Sequence, residues 1–538
     1  MKRISAIVLF AAAIASASAQ TNVVPVAVPT VTFSTNATVP VPSVSLATNQ
    51  VPLAVTTNVP PSMIATNAVR VMSLQACFAE ALKHNLDIQI QVYTPKLSLY
   101  DLYSAYGGYD PTLNLSGSHA FNVTPGGGFN QFSTNPIPAR TTKTDTFSSD
   151  IGGVLPSGLI YDFSGTISDT TSSESPESTS GNIEAKLTQP LLRNFWTDNN
   201  RLAISVAKNR LKYSEQTLRQ QLITTVTAVE NAYYELIYAR ENVTVEKEAL
   251  ELAEKQYGDD QQRVQVGSLA PLDVQQDEAQ VAQSRANLIA AQFTLANDQN
   301  TLKSLLTDNY SQWHDVNIMP AAPMEAVQQF LDVQDSWSKG LVQRPDMIQA
   351  KLDVEQQGFN LKYSFNQLFP ELDLTGSYGF YGQGKEYSDA IGQVNQGNAP
   401  YYTVGAQFSV PLSNLKARSS YKSNKATEQQ VLLKLKQLEQ TVMVDIDNAV
   451  KQTASYWESV EATHEARVYA EAALDAEQKK YAVGKSTTFT VLQLQNNLTS
   501  ARSQEIRAVA NYNEELATLA QQEGNTLERR QIDFKVQP

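Results

Sequence analysis

Apolar residues recur at every seventh position over long stretches of the chain. Leu222, Val229, Leu236, Val243, Leu250, Tyr257 and Val264 form one such stripe, and Val274, Val281, Leu288, Leu295 and Leu302 form another. That interval marks the seam of a coiled coil. Between Arg201 and Val266 the only glycine is Gly258 and there is no proline, and between Ala417 and Val483 there is neither, so helices can run unbroken. About 65 residues at ~1.5 Å each predict rods of roughly 100 Å, several times the width of an ordinary domain. In the second stretch Ile446, Val460, Leu474 and Tyr481 keep the interval, while Thr453 and Arg467 interrupt it.

Elsewhere the period is two. Leu372, Leu374, Tyr378 and Phe380 alternate with Glu371, Asp373, Thr375 and Ser377, and Tyr402, Val404, Ala406, Phe408 and Val410 alternate with Thr403, Gly405, Gln407 and Ser409. Ile183, Ala185 and Leu187 do the same against Glu184, Lys186 and Thr188. Such strands have one greasy and one wet face, as in any half-buried sheet. A length of roughly ten residues with tyrosines near the ends also suits a membrane-spanning strand. A further alternating segment, Thr146 to Asp169 with Pro156-Ser157-Gly158 as its turn, predicts an extra, outward-projecting hairpin.

The plan occurs twice. Asp110-Pro111-Thr112-Leu113-Asn114-Leu115-Ser116-Gly117-Ser118 matches Phe369-Pro370-Glu371-Leu372-Asp373-Leu374-Thr375-Gly376-Ser377, and the same offset pairs Leu82 with Leu341 and Asp87 with Asp346. Farther on, Glu230-Asn231-Ala232 matches Asp447-Asn448-Ala449, and Val266-Gly267 matches Val483-Gly484. Each repeat therefore reads as a short helix, a strand pair and a long helical hairpin.

The N-terminus is basic at Lys2 and Arg3, apolar from Ile4 to Ile14, and ends in Ala17-Ser18-Ala19 before Gln20, the pattern of an export signal peptide. Removing it takes the formal charge from −13 to −15, which disfavours nucleic acid as a partner. Residues 20–69 carry no charge and are rich in Pro, Val, Thr and Asn, as in an extended tether. The expected order is a signal peptide over 1–19, the tether over 20–69, a first repeat over 70–309, an inter-repeat segment over 310–329, a second repeat over 330–525 and a tail over 526–538. No mature stretch reaches the roughly 18 apolar residues of a spanning helix, which leaves a closed barrel as the way to cross a membrane. Two strand pairs per chain are too few to enclose a pore, so several chains must contribute.

Leu82 to Asp87, Arg344-Pro345-Asp346, Phe369-Pro370-Glu371-Leu372, Thr188-Gln189-Pro190-Leu191-Leu192 and the paired Val-Gly tips together resemble the TolC family, over about Val71 to Gln522. The resemblance implies a mainly α fold with β: long helical coiled-coil hairpins forming a periplasmic tunnel, joined to a transmembrane β-barrel that a homotrimer completes with four strands per subunit. It implies a periplasmic adaptor (membrane fusion) protein and an inner-membrane transporter as partners, beside outer-membrane lipid. It also implies adaptor docking at the tips, Val266, Gly267, Ser268 and Leu269 with Val483, Gly484, Lys485 and Ser486, and a periplasmic gate at Asp273, whose second-repeat counterpart is Thr490. Where latching members carry an arginine and further acids near the second tip, this chain has Ser486 and Gln493. The glycines also serve as helix stops, and Asp273 also suits a helix start.

No catalytic, cofactor or metal site is expected. Gly379 to Lys385 approaches a phosphate-loop pattern, but Glu386 stands at the magnesium-binding position and no helix is predicted to follow. His84, His119, His314 and His464 are scattered and read as solvated. Cys77 reads as a small buried apolar residue. Three functions compete: small-molecule efflux, the outer channel of a type I protein secretion system, and a non-transporting surface coiled coil.

Overall fold

The computed structural model describes residues 31–35, 69–127 and 138–536. The chain runs through β1 (Val31–Thr35), β2 (Val69–Met72), α1 (Leu74–His84), α2 (Leu86–Tyr106), β3 (Thr112–Thr124), β4 (Arg140–Val154), β5 (Ile160–Ser172), β6 (Ser178–Pro190), α3 (Asn199–Gln265), α4 (Pro271–Leu306) and β7 (Asn317–Pro320). It continues through α5 (Val333–Gln343), α6 (Pro345–Asn366), β8 (Glu371–Gly384), α7 (Tyr387–Gln396), β9 (Pro400–Ser409), α8 (Leu415–Ala482), α9 (Thr488–Glu523) and β10 (Ile532–Val536). At ~1.5 Å per residue, the 67 residues of α3 and 68 of α8 each span about 100 Å.

Where one short helix per repeat was expected, there are two. Asn85 ends α1 and starts α2: its backbone N–H donates to the Ala81 carbonyl, and its side chain accepts from the Ile88 amide at 3.2 Å. Arg344 holds the matching place between α5 and α6, with Pro345 opening α6 because its missing N–H costs nothing there. These short helices cover the middle of the rods. Cys77 and Phe78 of α1 bury against Leu222, Val229 and Leu236 of α3 and Leu302 and Leu306 of α4. Met347 buries with Val442, Ile446 and Leu519 in the second repeat. Cys77 is indeed buried, and that burial pushes its thiol up to about 12.

Away from that core the heptad stripe divides. Val243, Leu250 and Tyr257 are half-buried, whereas Ala253 and Asp260, three residues after the last two, are fully buried, as is Ala239 on the same seven-residue interval. In α4, Val274, Val281, Leu288 and Leu295 are half-buried beside fully buried Asp277, Ser284 and Ala291. The small side chains let the two arms of the hairpin close on each other and leave the large ones partly uncovered. Thr453, an interruption in the sequence pattern, stays in the seam because its hydroxyl donates to the Ala449 carbonyl at 2.8 Å.

A six-stranded antiparallel sheet, in the order β3-β4-β5-β6-β8-β9, crowns the rods. The Thr146–Asp169 hairpin is not an outward projection. It forms most of β4 and β5, paired with β3 on one side and β6 on the other, and its turn points back toward the helices. There Arg201, in the first turn of α3, donates from Nε to the Pro156 carbonyl at 2.7 Å, and Gly158 takes the left-handed conformation (φ 85°) that closes the turn. A second correction concerns Gly379 to Lys385. A helix, α7, does follow, but the glycines lie in β8, where α7 packs so closely that a Cβ on Gly382 would sit 2.2 Å from the Ala390 carbonyl oxygen. They admit a helix against a strand and form no phosphate loop. β1, from the predicted tether, pairs antiparallel with β10, while the signal peptide and the rest of the tether up to Ala68 lie outside the described residues.

Candidate functional site: the hairpin tips and channel entrance

Both tips end their helices in the same way. Gly267 (φ 76°) donates to the Val264 carbonyl at 3.0 Å and Ser268 to Arg263 at 2.9 Å; Gly484 (φ 74°) donates to Tyr481 at 3.0 Å and Lys485 to Lys480 at 2.9 Å. These paired bonds satisfy carbonyls that a helix end leaves open. The turn exposes Val266, Ser268, Val483 and Lys485, half-covers Leu269, and sets Leu272 and Phe489 in solvent just beyond. Ser486 turns inward and donates to Glu477 at 2.6 Å. Pro271 opens α4, which places Asp273 in its first turn; Thr490 occupies the first turn of α9, its amide donating to the Thr487 hydroxyl at 3.3 Å. Both predicted gate residues are half-buried.

Immediately behind the tips lies a polar cluster that the sequence reading missed. Asp260 of α3 is fully buried and accepts from the Tyr481 hydroxyl at 2.7 Å to each oxygen, from Thr488 at 3.3 Å and from Gln256 at 2.7 Å. The Arg263 guanidinium stands 3.7 Å from Asp260 and 4.5 Å from the centre of the Tyr481 ring. Asp277 of α4 is equally buried, and no donor among the described residues faces its oxygens; its neighbour is the Asp260 carboxylate, to which it donates when protonated. Burial first, then the charge of Asp260 and the hydrogen bond to it, and last the charge of Asp273, push its carboxyl up to about 7. Burial also pushes the Tyr481 hydroxyl up to about 12, keeping it a donor. The cluster ties α3 to α8 and α9, so it pins the two hairpins together and holds a proton near neutral pH. Asp260 shares its seven-residue interval with Ala239 and Ala253 but also with half-buried Glu246, so no signal in the sequence pattern singles it out.

Among the described residues no group of three metal-ligating side chains converges. Each histidine sits beside one acid, His84 with Asp308, His119 with Asp145, His314 with Asp315 and His464 with Glu505; His84 is half-buried and the other three are exposed.

The sheet completes the picture. Its register places Leu113, Leu115, Phe121, Phe147, Phe163, Ile183, Leu187, Leu374, Tyr378, Tyr402, Val404 and Phe408 on one face, which away from the helices also carries His119, Lys143, Asp145 and Asp169, with most of the serines and threonines and the remaining acids on the other. Residues 158–307 and 337–525 match the family described as Outer membrane efflux protein. The chain belongs to that family. Among its relatives, the outer membrane efflux protein BepC of Brucella suis is 24% identical over 60% of this chain and 68% of its own length. TolC of Escherichia coli is 25% identical over 55% of this chain and 60% of its own. The fold is also that of the outer-membrane channel OprN (TM-score 0.63, 16% identity, covering 86% of this chain and 91% of that one). The open state of Neisseria gonorrhoeae MtrE is similar to the same degree (TM-score 0.61, 17% identity, covering 87% and 94%). As a member of this family the protein is an outer-membrane channel reaching into the periplasm, and not an enzyme.

Proposed function

We propose that three copies of this chain form an outer-membrane channel continued by a periplasmic tunnel, and that it exports small molecules as the outer stage of a tripartite efflux system. The observation that carries this reading is a sheet with an apolar band across one face, mounted on rods about 100 Å long. An open sheet cannot lie in lipid, because each unpaired backbone group there costs several kcal/mol, so its edges must be closed by other copies. The half-buried Val243, Leu250, Val274 and Val281 leave apolar surface along the rods for the neighbouring subunits.

The tips, Val266 to Leu269 and Val483 to Ser486, meet a periplasmic adaptor protein in this reading. Exposed Val266, Leu272, Val483 and Phe489 supply apolar surface for the contact, and an inner-membrane transporter behind the adaptor chooses the cargo. Asp273 and Thr490 line the entrance. The names of relatives favour small cargo over secreted proteins: an antibiotic efflux protein and a toluene efflux protein of Pseudomonas putida, and a pyoverdine export protein of Pseudomonas aeruginosa. The test is a deletion strain loaded with a fluorescent dye. Dye should accumulate several-fold and return to the parental level when the gene is restored; unchanged accumulation, with a protein substrate retained instead, would move the chain to the secretion class.

A further inference from the structure

The resemblance to other channels of this architecture implies four barrel strands per subunit, whereas the sheet here has six. β4 and β5 are the additional pair, and their residues are in phase with the rest of the wall. Phe147 stands beside Gly117 of β3 and Ile167 of β5, Ile151 beside Leu113 and Phe163, and Phe163 beside Ala185 of β6. On the half of the wall nearer the helices the apolar face thus runs from β3 to β9, giving way farther out to a polar row of His119, Asp145, Asp169 and Thr179, and Phe147 and Phe163 are 43% and 53% exposed on it. The opposite face is equally continuous. Asn114 donates to Asp150 at 2.9 Å, the hydroxyls of Ser116 and Ser148 lie 2.6 Å apart, and those of Thr146 and Ser168 lie 3.1 Å apart. A hairpin outside the wall would have no reason to keep this alternation on both strands or to bond along both edges.

β3 and β9 form the free edges of the sheet. β3 leaves the helical end at Thr112 and β9 returns to it at Ser409, so β9 of one copy meets β3 of the next in antiparallel order with both apolar faces on the same side. Resting on the trimeric outer-membrane reading above, we propose that the β4–β5 pair is a lipid-facing part of the wall, and that three chains joined β9 to β3 close a barrel of eighteen strands rather than twelve. Barrel diameter grows roughly linearly with strand number, which makes this lumen about half as wide again, in the range where about 16 to 18 strands leave an open aqueous channel. The turn at Pro156–Gly158, held by Arg201, fastens the added width to the first turn of α3. The ligand class that follows is solutes bulkier than a twelve-stranded wall admits.

The test uses the full-length protein in liposomes, with its assembly read by native mass spectrometry and single tryptophans introduced as Phe147→Trp and Phe163→Trp. Phospholipids brominated on the acyl chain should quench both new fluorophores well beyond the wild-type baseline, while aqueous iodide should not. Ser148→Trp, on the opposite face, should show the reverse. Trimers in which Phe147→Trp and Phe163→Trp respond to iodide and not to bromolipid would overturn the eighteen-stranded wall while leaving the trimer intact. A chain that does not assemble into trimers would overturn both readings. Should the tryptophan variants not assemble although wild type does, Ser116→Cys with Ser148→Cys in a Cys77→Ala chain decides: an intrachain disulfide supports the six-stranded sheet, and its absence from assembled trimers contradicts it.

Discussion

Asp273 and Asp277 lie one helical turn apart on α4 and differ in what their surroundings make of them. Asp273 is half-buried in the first turn, where the helix dipole favours a negative charge by roughly 0.3 to 1 kcal/mol. If three copies also line the entrance, multivalent cations on the periplasmic side should block conductance in wild type and lose most of that effect in Asp273→Asn; equal block in both would leave Asp273 a helix-start residue alone. Asp277 is buried beside the Asp260 carboxylate with no donor facing it, and its carboxyl is raised from 3.8 to about 7. The folded state therefore holds the proton more tightly than the unfolded chain does. The associated stability is fully present below the ordinary carboxyl value and is lost as pH rises through about 7. Amide exchange in the first turns of α4 and α9 should accelerate over that rise beyond the intrinsic pH effect, and Asp277→Asn should flatten the excess. An identical excess in the variant would remove Asp277 from control of the tips. The tip glycines and Asp273 were legible because local chain geometry needs them, but Asp260 and Asp277 were not, since their burial depends on which of two heptad stripes closes the hairpin.

The long hairpins could be read from the sequence because a heptad interval without helix breakers admits one structure. What the interval could not tell is which side faces inward: Val243 and Val274 belong to the stripe expected as core and are half-exposed, while alanines and aspartates three residues on are buried. Alternation marked the strands equally well. The place of β4 and β5 escaped it, because period two sets the faces of a strand and not its neighbours. The break at Asn85 and the helix α7 depend on a single cap and on a close strand–helix approach, which leave little periodic trace. At this scale the tips carry the next prediction. Ser268→Glu with Lys485→Glu alters two exposed side chains that make no core contacts, so trimers should form normally while efflux falls to that of the deletion strain. Undiminished efflux in the double variant would take the tips out of the adaptor interface.

Across the whole molecule the polar face of the sheet carries Asp150, Asp162, Glu184 and Asp373 against Arg140 and Lys186, a surplus of acids in every chain. If that face lines a water-filled lumen, repeated by symmetry, the pore concentrates cations. Sequence reasoning reached the channel class through the resemblance to the TolC family, with which the alternating strands and long rods agree, while the number of strands in the wall needed the sheet order. Single-channel recording of the purified protein, verified as a trimer and inserted into a planar bilayer, is the most direct measurement of the central claim. Stepwise, long-lived conductance with a reversal potential favouring cations is the expected result. A trimer that inserts and carries no current, or a stable helical monomer with no channel activity, would contradict it.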